Sequence, residues 1–563
     1  MPLTDKVLNA VERDANSVWR MKGLAPFDYT DGEAHERYLR DVFLKARDLG
    51  SDSYELEGYI RDWVSEYHLS RKRSQVLRGF TFDRRSCVLE VGCGCGAITR
   101  FLGETFDDVL AVDGSLPRAT LARMRTRDLE NVSVLNAPFH EIRYNARFDI
   151  IFCIGVFEYS RLYVEGQDPH EAVLRHFFDI LAPNGVLVLA IENQFGLKFF
   201  ASSAEDHNNI MFDGIEGYPR YDLHRTFGYA ELKGRLAKHF QEVKFLFPYP
   251  DYKMTRCVVS EEAFGKISLG EMIGNFAPRD YSKSRTPVFD QRLALMELAR
   301  NGMLPLTANS FLVVAGKAPG AGPTFDSLGI MFSDHRLREF QTETRIAEHE
   351  DGSIWVRKRR LGAGVLAAGT VMLRGYEEPW RPSDSIQMQV LRRVKRRNLT
   401  LSEVFEPCAA WLRRIRAIGM MESGELVVDG KYVDCLWANS FVENGECVFI
   451  DNEWSVKGVL RANVLLTRCA YYLLNEIKGM RDLNAGLQGG GTRAIVGRIC
   501  RAIGVEITAK DWGEFLGLES SFTAVVTGGR PAWTTRMRRR ARRALERFAP
   551  PIFRGARASD RPA

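Results

Sequence analysis

The run VLEVGCGCG at residues 88–96 limits what this chain can fold into more than any other stretch. Val88, Leu89 and Val91 form an apolar strand suited to a sheet covered on both faces, and Gly92, Gly94 and Gly96 follow it at alternate positions. Glycines there let a ligand reach the backbone where a Cβ would stand in the way. Glu90 lies two residues before the first glycine, near the strand's carboxyl end, where open parallel sheets bind their ligands. A carboxylate at that point can meet a cation. AITRFLGETF (97–106) then reads as a helix, so the stretch predicts a strand–loop–helix cradle for a cofactor.

Spacing alone does not say which cofactor, because Gly92, Gly94 and Ala97 also fit the dinucleotide-binding pattern. Glu90 and the following elements separate the two. VLAVDGS (109–115) is a second strand ending in Asp113, seventeen positions after Gly96, where an aspartate can hold ribose hydroxyls. VSVLNAPF (132–139), FDIIFCIGVFEY (148–159) and LAPNGVLVLAIEN (181–193) supply three more strands, with a helical stretch before the last. EVKFLFPYPDYK (242–253) reads as a sixth strand and NSFLVVAGK (309–317) as a closing one.

This order resembles the class I S-adenosylmethionine-dependent methyltransferases over roughly residues 80–318. The resemblance implies an α/β, Rossmann-like seven-stranded sheet whose closing strand runs antiparallel. It also implies S-adenosylmethionine as cofactor, with Glu90, Gly92, Cys93, Gly94 and Gly96 around its methionine part. Asp113, with Gly114 beside it, would hold the ribose, and Asn136, Ala137 and Phe139 the edge of the adenine.

At 563 residues the chain is too long for one ordinary core. Residues 4–20, 33–49 and 54–79 carry helical periodicity and read as an N-terminal helical cap over 1–80, with 66–80 chiefly a packing segment and, as the resemblance implies for such a cap, alternatively a source of contacts to cofactor and substrate. The methyltransferase-like unit spans 81–318. AGKAPGAGPTFD, by its glycine, proline and alanine content, marks a linker at 319–326, a further domain covers 327–528, and a basic tail covers 529–563.

Two insertions interrupt the first unit. NQFGLKFFASSAEDHNNIMFDGIEGYPRYDLHRTFG (193–228) follows the fifth strand, over the expected position of the reacting sulfonium, and is too long and too aromatic for a plain connection. It gathers Glu205, Asp206, His207, Asp213 and Glu216, which suit a general base, binding of sugar hydroxyls or, for most of them, hydrogen bonds that structure the loop; His207, whose ordinary pKa lies near neutrality, is the candidate general base. A second insertion precedes the closing strand and carries a helix at 289–302. The segments TRFLGE, ENQFGLKFF, EDHNN, FDGIEGYP, PYPDYK and NSFLVVAGK resemble methyltransferase domains of bacterial proteins that often also carry glycosyltransferases. That resemblance implies a saccharide or lipid-linked glycan acceptor in surface-polysaccharide synthesis, with glycosyltransferases as partners.

Beyond the linker, FQTETRIAEHEDGSIWVRKRRL (340–361) reads as two strands turning at Asp351-Gly352, followed by a helical stretch over 383–418. VDCLWANSFVENGECVFIDNEW (433–454) then sets Asp434 five residues before Asn439 and Asp451 twelve after it. This pattern resembles aminoglycoside-phosphotransferase-like and protein kinases and implies a kinase-like α+β domain using magnesium and ATP. By that resemblance Asp434 is the base, Asn439 and Asp451 the metal ligands, and Lys358 the phosphate-binding lysine. The match departs from the family in two places. Tyr432-Val433 precede Asp434 where the family has a histidine, and the glycine-bearing run GAGVLAAGT (362–370) follows the lysine instead of preceding it. A bifunctional methyltransferase and kinase, or a methyltransferase with a non-catalytic kinase-like docking module, are the alternatives to a single methyl-transfer activity.

No apolar run approaches the roughly 18 residues that span a bilayer, and the start lacks a basic-then-apolar secretory pattern. The expected location is the cytoplasm, with the ten scattered cysteines reduced. The net charge of +6 is concentrated at the end: from Arg530 onward eleven arginines face two acids, which leaves the rest near −3. Over 533–548, Trp533, Met537, Ala541, Leu545 and Phe548 share one helical face and seven arginines surround it. That pattern suits an anionic surface at the inner face of the cytoplasmic membrane. Nucleic acid fits less well, because the body shows no recognisable binding module, and a merely solvated, disordered arginine tail fits the composition as well as either.

Overall fold

The computed structural model describes residues 3–528 apart from 24–29, 31, 221–222, 277–280, 282–287, 363–370, 479 and 481. The arginine-rich 533–548 and nearly all of GAGVLAAGT therefore lie outside the described residues.

The N-terminal segment departs from the helical cap its periodicity predicts. A single turn, Leu3–Lys6, gives way to a hairpin of β1 (Val11–Arg13) and β2 (Trp19–Met21). The cause is local: Asp14 Oδ1 accepts the N–H groups of Asn16 and Val18 at 2.9 Å, and Ser17 turns the chain with φ +63°. A helix does form at Glu33–Lys45, burying Leu39, Val42 and Phe43. Residues 54–79 break into Tyr54–Gly58, Trp63–Leu69 and Lys72–Gln75, because the side chain of Asp62 caps a new helix start and Ser70 ends it.

The expected strands form close to their predicted bounds. They are β3 (Cys87–Val91), β4 (Asp108–Asp113), β5 (Val132–Asn136), β6 (Phe148–Ile154), β7 (Leu181–Glu192), β8 (Glu242–Tyr249) and β10 (Ser310–Gly316), and an unexpected strand, β9 (Cys257–Ser260), falls between the last two. Seven of them lie in the order β5-β4-β3-β6-β7-β10-β8. The first five are mutually parallel, and β10 runs antiparallel to both its neighbours. This is the Rossmann-like α/β sheet that the resemblance implies. Side chains alternate across it: Leu89, Val91, Leu110 and Val112 enter one core layer, while Val88, Val109 and Ala111 enter the other.

The sheet does not stop at seven strands. β2 adds to it beside β5, with Trp19 opposite Leu135. At the other edge β9 pairs with β8 and then with β11 (Gly329–Phe332), which carries β12 (Thr342–Glu348), β13 (Ile354–Arg360) and β15 (Tyr376–Pro379). Fourteen strands thus make one sheet. β14 (Val371–Leu373) stands apart, paired with Trp454–Val456. Residues 319–326 lie packed on the body: Phe325 meets Phe80 at 5.5 Å, and the N–H of Gly320 reaches Glu242 at 2.9 Å. The remainder is largely helical, and its core holds Trp411 and Trp437, with the Trp411 indole donating to the Cys435 carbonyl at 2.7 Å.

All ten cysteines are free thiols. Among the described residues no helix is long and apolar enough to cross a membrane.

Candidate active site

A cavity of about 370 Å³ opens at the carboxyl ends of β3, β4, β5 and β6. That size suits a cofactor with part of a substrate. The glycine loop forms its floor. Gly92, Gly94 and Gly96 have φ of +70°, +52° and +83°, a region that other residues enter only at a cost. A Cβ on Gly92 would lie 2.4 Å from Val156, and one on Gly96 would lie 2.8 Å from the Ala122 backbone. Two of the three glycines are therefore required by packing as well as by conformation.

Glu90, Gly92, Cys93, Gly94, Asp113, Gly114, Ala137 and Phe139 line the cavity as the cofactor expectation has them. Asn136 and Gly96 stand one layer back. The Asn136 amide donates to the Asp113 and Gly114 carbonyls at 3.0 and 2.8 Å, and Gly96 seats the helix Ala97–Thr105 against Ala122. Asp113 Oδ2 accepts the Gly94 N–H at 2.8 Å and Oδ1 the Ser115 N–H at 2.9 Å. Glu90 is only 3% exposed, and burial pushes its carboxyl up to about 8. Its Oε2 accepts no hydrogen bond among the described residues.

The far side of the cavity is acidic. Glu158, in the turn Phe157–Tyr159 after β6, and Glu192, the last residue of β7, face His207 from the first insertion. His207 Nε2 lies 3.7 Å from Glu158 Oε1 and 3.9 Å from Glu192 Oε2, while its Nδ1 meets Glu205 Oε1 at 2.7 Å. Asp206 takes Lys198 at 2.7 Å and Lys253 at 2.8 Å. The Lys253 ammonium also meets Glu192 Oε1, and the Tyr252 hydroxyl reaches that same oxygen at 3.3 Å.

His207 thus lies in the cavity, but the reason for choosing it as a base does not hold. Burial disfavours a charged ring, yet Glu192, Glu205 and Glu158 outweigh it and hold the imidazole well above its ordinary range. A ring kept protonated accepts no proton. Asp213 and Glu216 turn away from the cavity and pair with Arg220 at 3.2 and 2.6 Å.

Sequence reasoning missed Glu158, Glu192, Tyr252 and Lys253, although each follows or ends a strand at the sheet edge where such folds bind ligands. It favoured packing over cavity contacts for the 66–80 segment, and the structure brings Tyr67, His68 and Arg73 from it to the cavity, with Trp63.

The second constellation also comes together. Lys358 on β13 places Nζ 2.5 Å from Asp451 Oδ1 and 3.3 Å from Glu453 Oε1. The Tyr376 hydroxyl donates to Asp451 Oδ1 at 2.9 Å, and Asn439 Nδ2 donates to the Asp434 carbonyl at 3.0 Å. Burial pushes the Asp434 carboxyl up to about 7 against the opposing charge of Arg468, whose Nη1 is 3.7 Å away.

Comparison with known proteins bears on the first site. A family model described as a methyltransferase domain matches residues 89–187. A ubiquinone biosynthesis O-methyltransferase of Hydrogenovibrio crunogenus is 26% identical over 90 residues, which is 16% of this chain and 37% of that protein. The chain thus spans little more than a third of that relative's length. Among solved structures, the N-methyltransferase NodS of Bradyrhizobium japonicum with S-adenosyl-L-homocysteine is 21% identical, covering 28% of this chain and 74% of that one with a TM-score of 0.20. A SAM-dependent methyltransferase of Aquifex aeolicus is 16% identical, covering 34% and 89% with a TM-score of 0.24. The matched residues 89–187 run from within β3 into β7, so the similarity to a methyltransferase domain covers the strands that build the cavity floor.

Proposed function

We propose that the protein transfers a methyl group from S-adenosylmethionine to a hydroxyl of a saccharide or lipid-linked glycan. The observation that carries the cofactor is the cavity floor within the matched domain: a buried Glu90 with an unengaged oxygen, the glycine loop, and Asp113 at the end of the second strand. An ammonium group compensates a buried carboxylate, the glycine loop admits an extended chain, and an aspartate accepts from ribose hydroxyls.

The acceptor class rests on the family resemblance, and the chemistry of the cavity agrees with it. Trp63, Tyr67, Tyr159 and Tyr163 supply flat apolar faces beside Asp206 and Glu158, a combination suited to the alternating C–H and O–H surfaces of a sugar. The protein's task is alignment of the nucleophile with the departing sulfur, and the hydroxyl's proton leaves to a carboxylate at the acidic end of the cavity.

The test is calorimetry of the full chain with S-adenosylmethionine, S-adenosylhomocysteine and a nicotinamide dinucleotide. Saturable binding of the first two is expected, and binding of the dinucleotide alone would overturn the reading. Mass spectrometry of cell-envelope glycans from cells with and without the protein then assigns the acceptor. Unchanged methylation there defeats the glycan.

A second reading concerns residues 327–528. The closure of Lys358 on Asp451 beside Asp434 and Asn439 favours a nucleotide site there, with magnesium held by Asn439 and Asp451. It makes the chain bifunctional if phosphotransfer follows, and a docking module if nucleotide binds without turnover.

A further inference from the structure

We propose that Glu158, Glu192 and His207 form a seat for a divalent cation at the acidic end of the cavity. One ligand atom from each, the two carboxylate oxygens and an imidazole nitrogen, lies within 4.8 Å of the others. A metal 2.0–2.2 Å from N and O ligands needs those atoms about 3–3.5 Å apart, so the side chains draw in by roughly half an ångström to one ångström.

The arrangement is more than a gathering of acids. Glu158 and Glu192 are each 1% exposed, and the Oε2 atom of each accepts no hydrogen bond among the described residues. Buried carboxylate oxygens are costly to leave unengaged. The other oxygen of Glu192 is already taken by Lys253 and Tyr252, which fixes the carboxylate and leaves Oε2 toward His207.

His207 is oriented as a metal-binding imidazole is. Glu205 Oε1 receives its Nδ1 at 2.7 Å, which holds the ring and turns Nε2 toward the two glutamates, where a metal would take the place of the Nε2 proton. A carboxylate behind the distal ring nitrogen is the usual outer partner of such a ligand. The neighbouring triple of Glu205, His207 and His224 is a poorer seat. There both oxygens of Glu205 are already engaged by the two rings and by the N–H groups of His207 and Asn208.

Charge points the same way. Glu158, Glu192, Glu205 and Asp206 stand against Lys198 and Lys253, an excess of carboxylates over lysines at this end of the cavity. An imidazole with two carboxylates suits Mn2+, Co2+ or Zn2+ better than Ca2+, which prefers oxygen alone. Glu158 and His207 line the cavity, so an acceptor oxygen completes the shell from that side. The seat's use in methyl transfer rests on the proposed function; its occupancy does not.

The test uses the full chain, freed of metal by a chelator and then titrated with Co2+ and, separately, Mn2+. One equivalent of each should bind, with a Co2+ absorption band and a pulsed-EPR coupling of Mn2+ to a single imidazole nitrogen. Glu158→Gln with Glu192→Gln should abolish saturable uptake, Glu205→Gln should weaken it about 10–100-fold, and the exposed Glu446→Gln should leave it unchanged. Absence of saturable uptake by the wild type, absence of imidazole coupling, or uptake unaltered in the double variant overturns the proposal. The wild-type spectra decide it even where the variants do not fold. S-adenosylhomocysteine binding is measured on the same samples: binding without Co2+ uptake defeats the cation alone, and Co2+ uptake without it defeats the methyltransferase reading alone.

Discussion

The carboxylate of Asp113 and the backbone of Gly94, nineteen residues apart, are joined by an N–H···Oδ2 hydrogen bond of 2.8 Å. The end of the second strand therefore braces the glycine loop at the first. Asp113→Ala removes this brace together with the proposed acceptor for ribose hydroxyls. Affinity for S-adenosylhomocysteine should fall by roughly 1–3 kcal/mol, about 5- to 150-fold, by calorimetry. Gly96→Val, whose Cβ must enter the Ala122 backbone, should instead lower the thermal midpoint. If the two variants fail in the same way, loop and ligand site are not separable as described.

Glu90 ties the cavity to pH. Burial lifts its carboxyl from an ordinary 4.5 to about 8, so between those values the folded chain holds a proton that the unfolded chain has lost. Its contribution to stability is full below about pH 4.5 and drains away as the pH rises through about 8. Glu90→Gln should flatten that part of the urea-midpoint profile and raise stability at pH 8–9 by on the order of a few kcal/mol. A cationic ligand beside Glu90 should release a proton on binding, seen as a dependence of calorimetric heat on buffer ionisation enthalpy. A profile identical to wild type would remove Glu90 from this role.

Much of the first unit was legible because its signals are local. VLEVGCGCG carries strand, loop and helix start within nine residues, and Asp113 ends an apolar run whose period leaves little choice. What escaped was set by partners distant in sequence. Nothing in Val11–Arg13 announces that it belongs to a sheet; the Asp14 turn and the free edge of β5 decide it. The continuation through β9 and β11 depends on an edge pairing between 257–260 and 329–332. Glu158 and Glu192, which meet the expected His207, come from two other segments, and single residues at or after strand ends carry no periodicity to mark them.

The arginine-rich stretch 533–548 makes a prediction from composition alone. Each basic group near an anionic surface contributes about 1 kcal/mol, screened beyond a Debye length of roughly 8–10 Å. The full chain should float with anionic liposomes at low salt and be released at high salt, and a truncation after Thr527 should not float. Equal flotation of both forms would place any membrane contact elsewhere.

The last prediction turns on Lys358. Its ammonium sits between Asp451 and Glu453, and Arg336 pairs with Glu453 at 2.6 Å, so two cations already neutralise the carboxylates where magnesium and phosphate would enter. A nucleotide must therefore draw Lys358 from Asp451 toward phosphate while magnesium takes the carboxylate over. Binding should require both ligands together. ATP with magnesium should raise the wild-type thermal midpoint, and neither alone should do so fully. Asp451→Ala should abolish the rise, because magnesium loses its anchor. Lys358→Met should weaken the response while leaving a Co2+ signal from the methyltransferase cavity intact, which separates the two sites. Asp434→Ala should retain the nucleotide-dependent rise and lose any phosphotransfer. A wild-type midpoint that ATP and magnesium leave unmoved would reduce the Lys358–Asp451 pair to a structural ion pair and residues 327–528 to a docking unit.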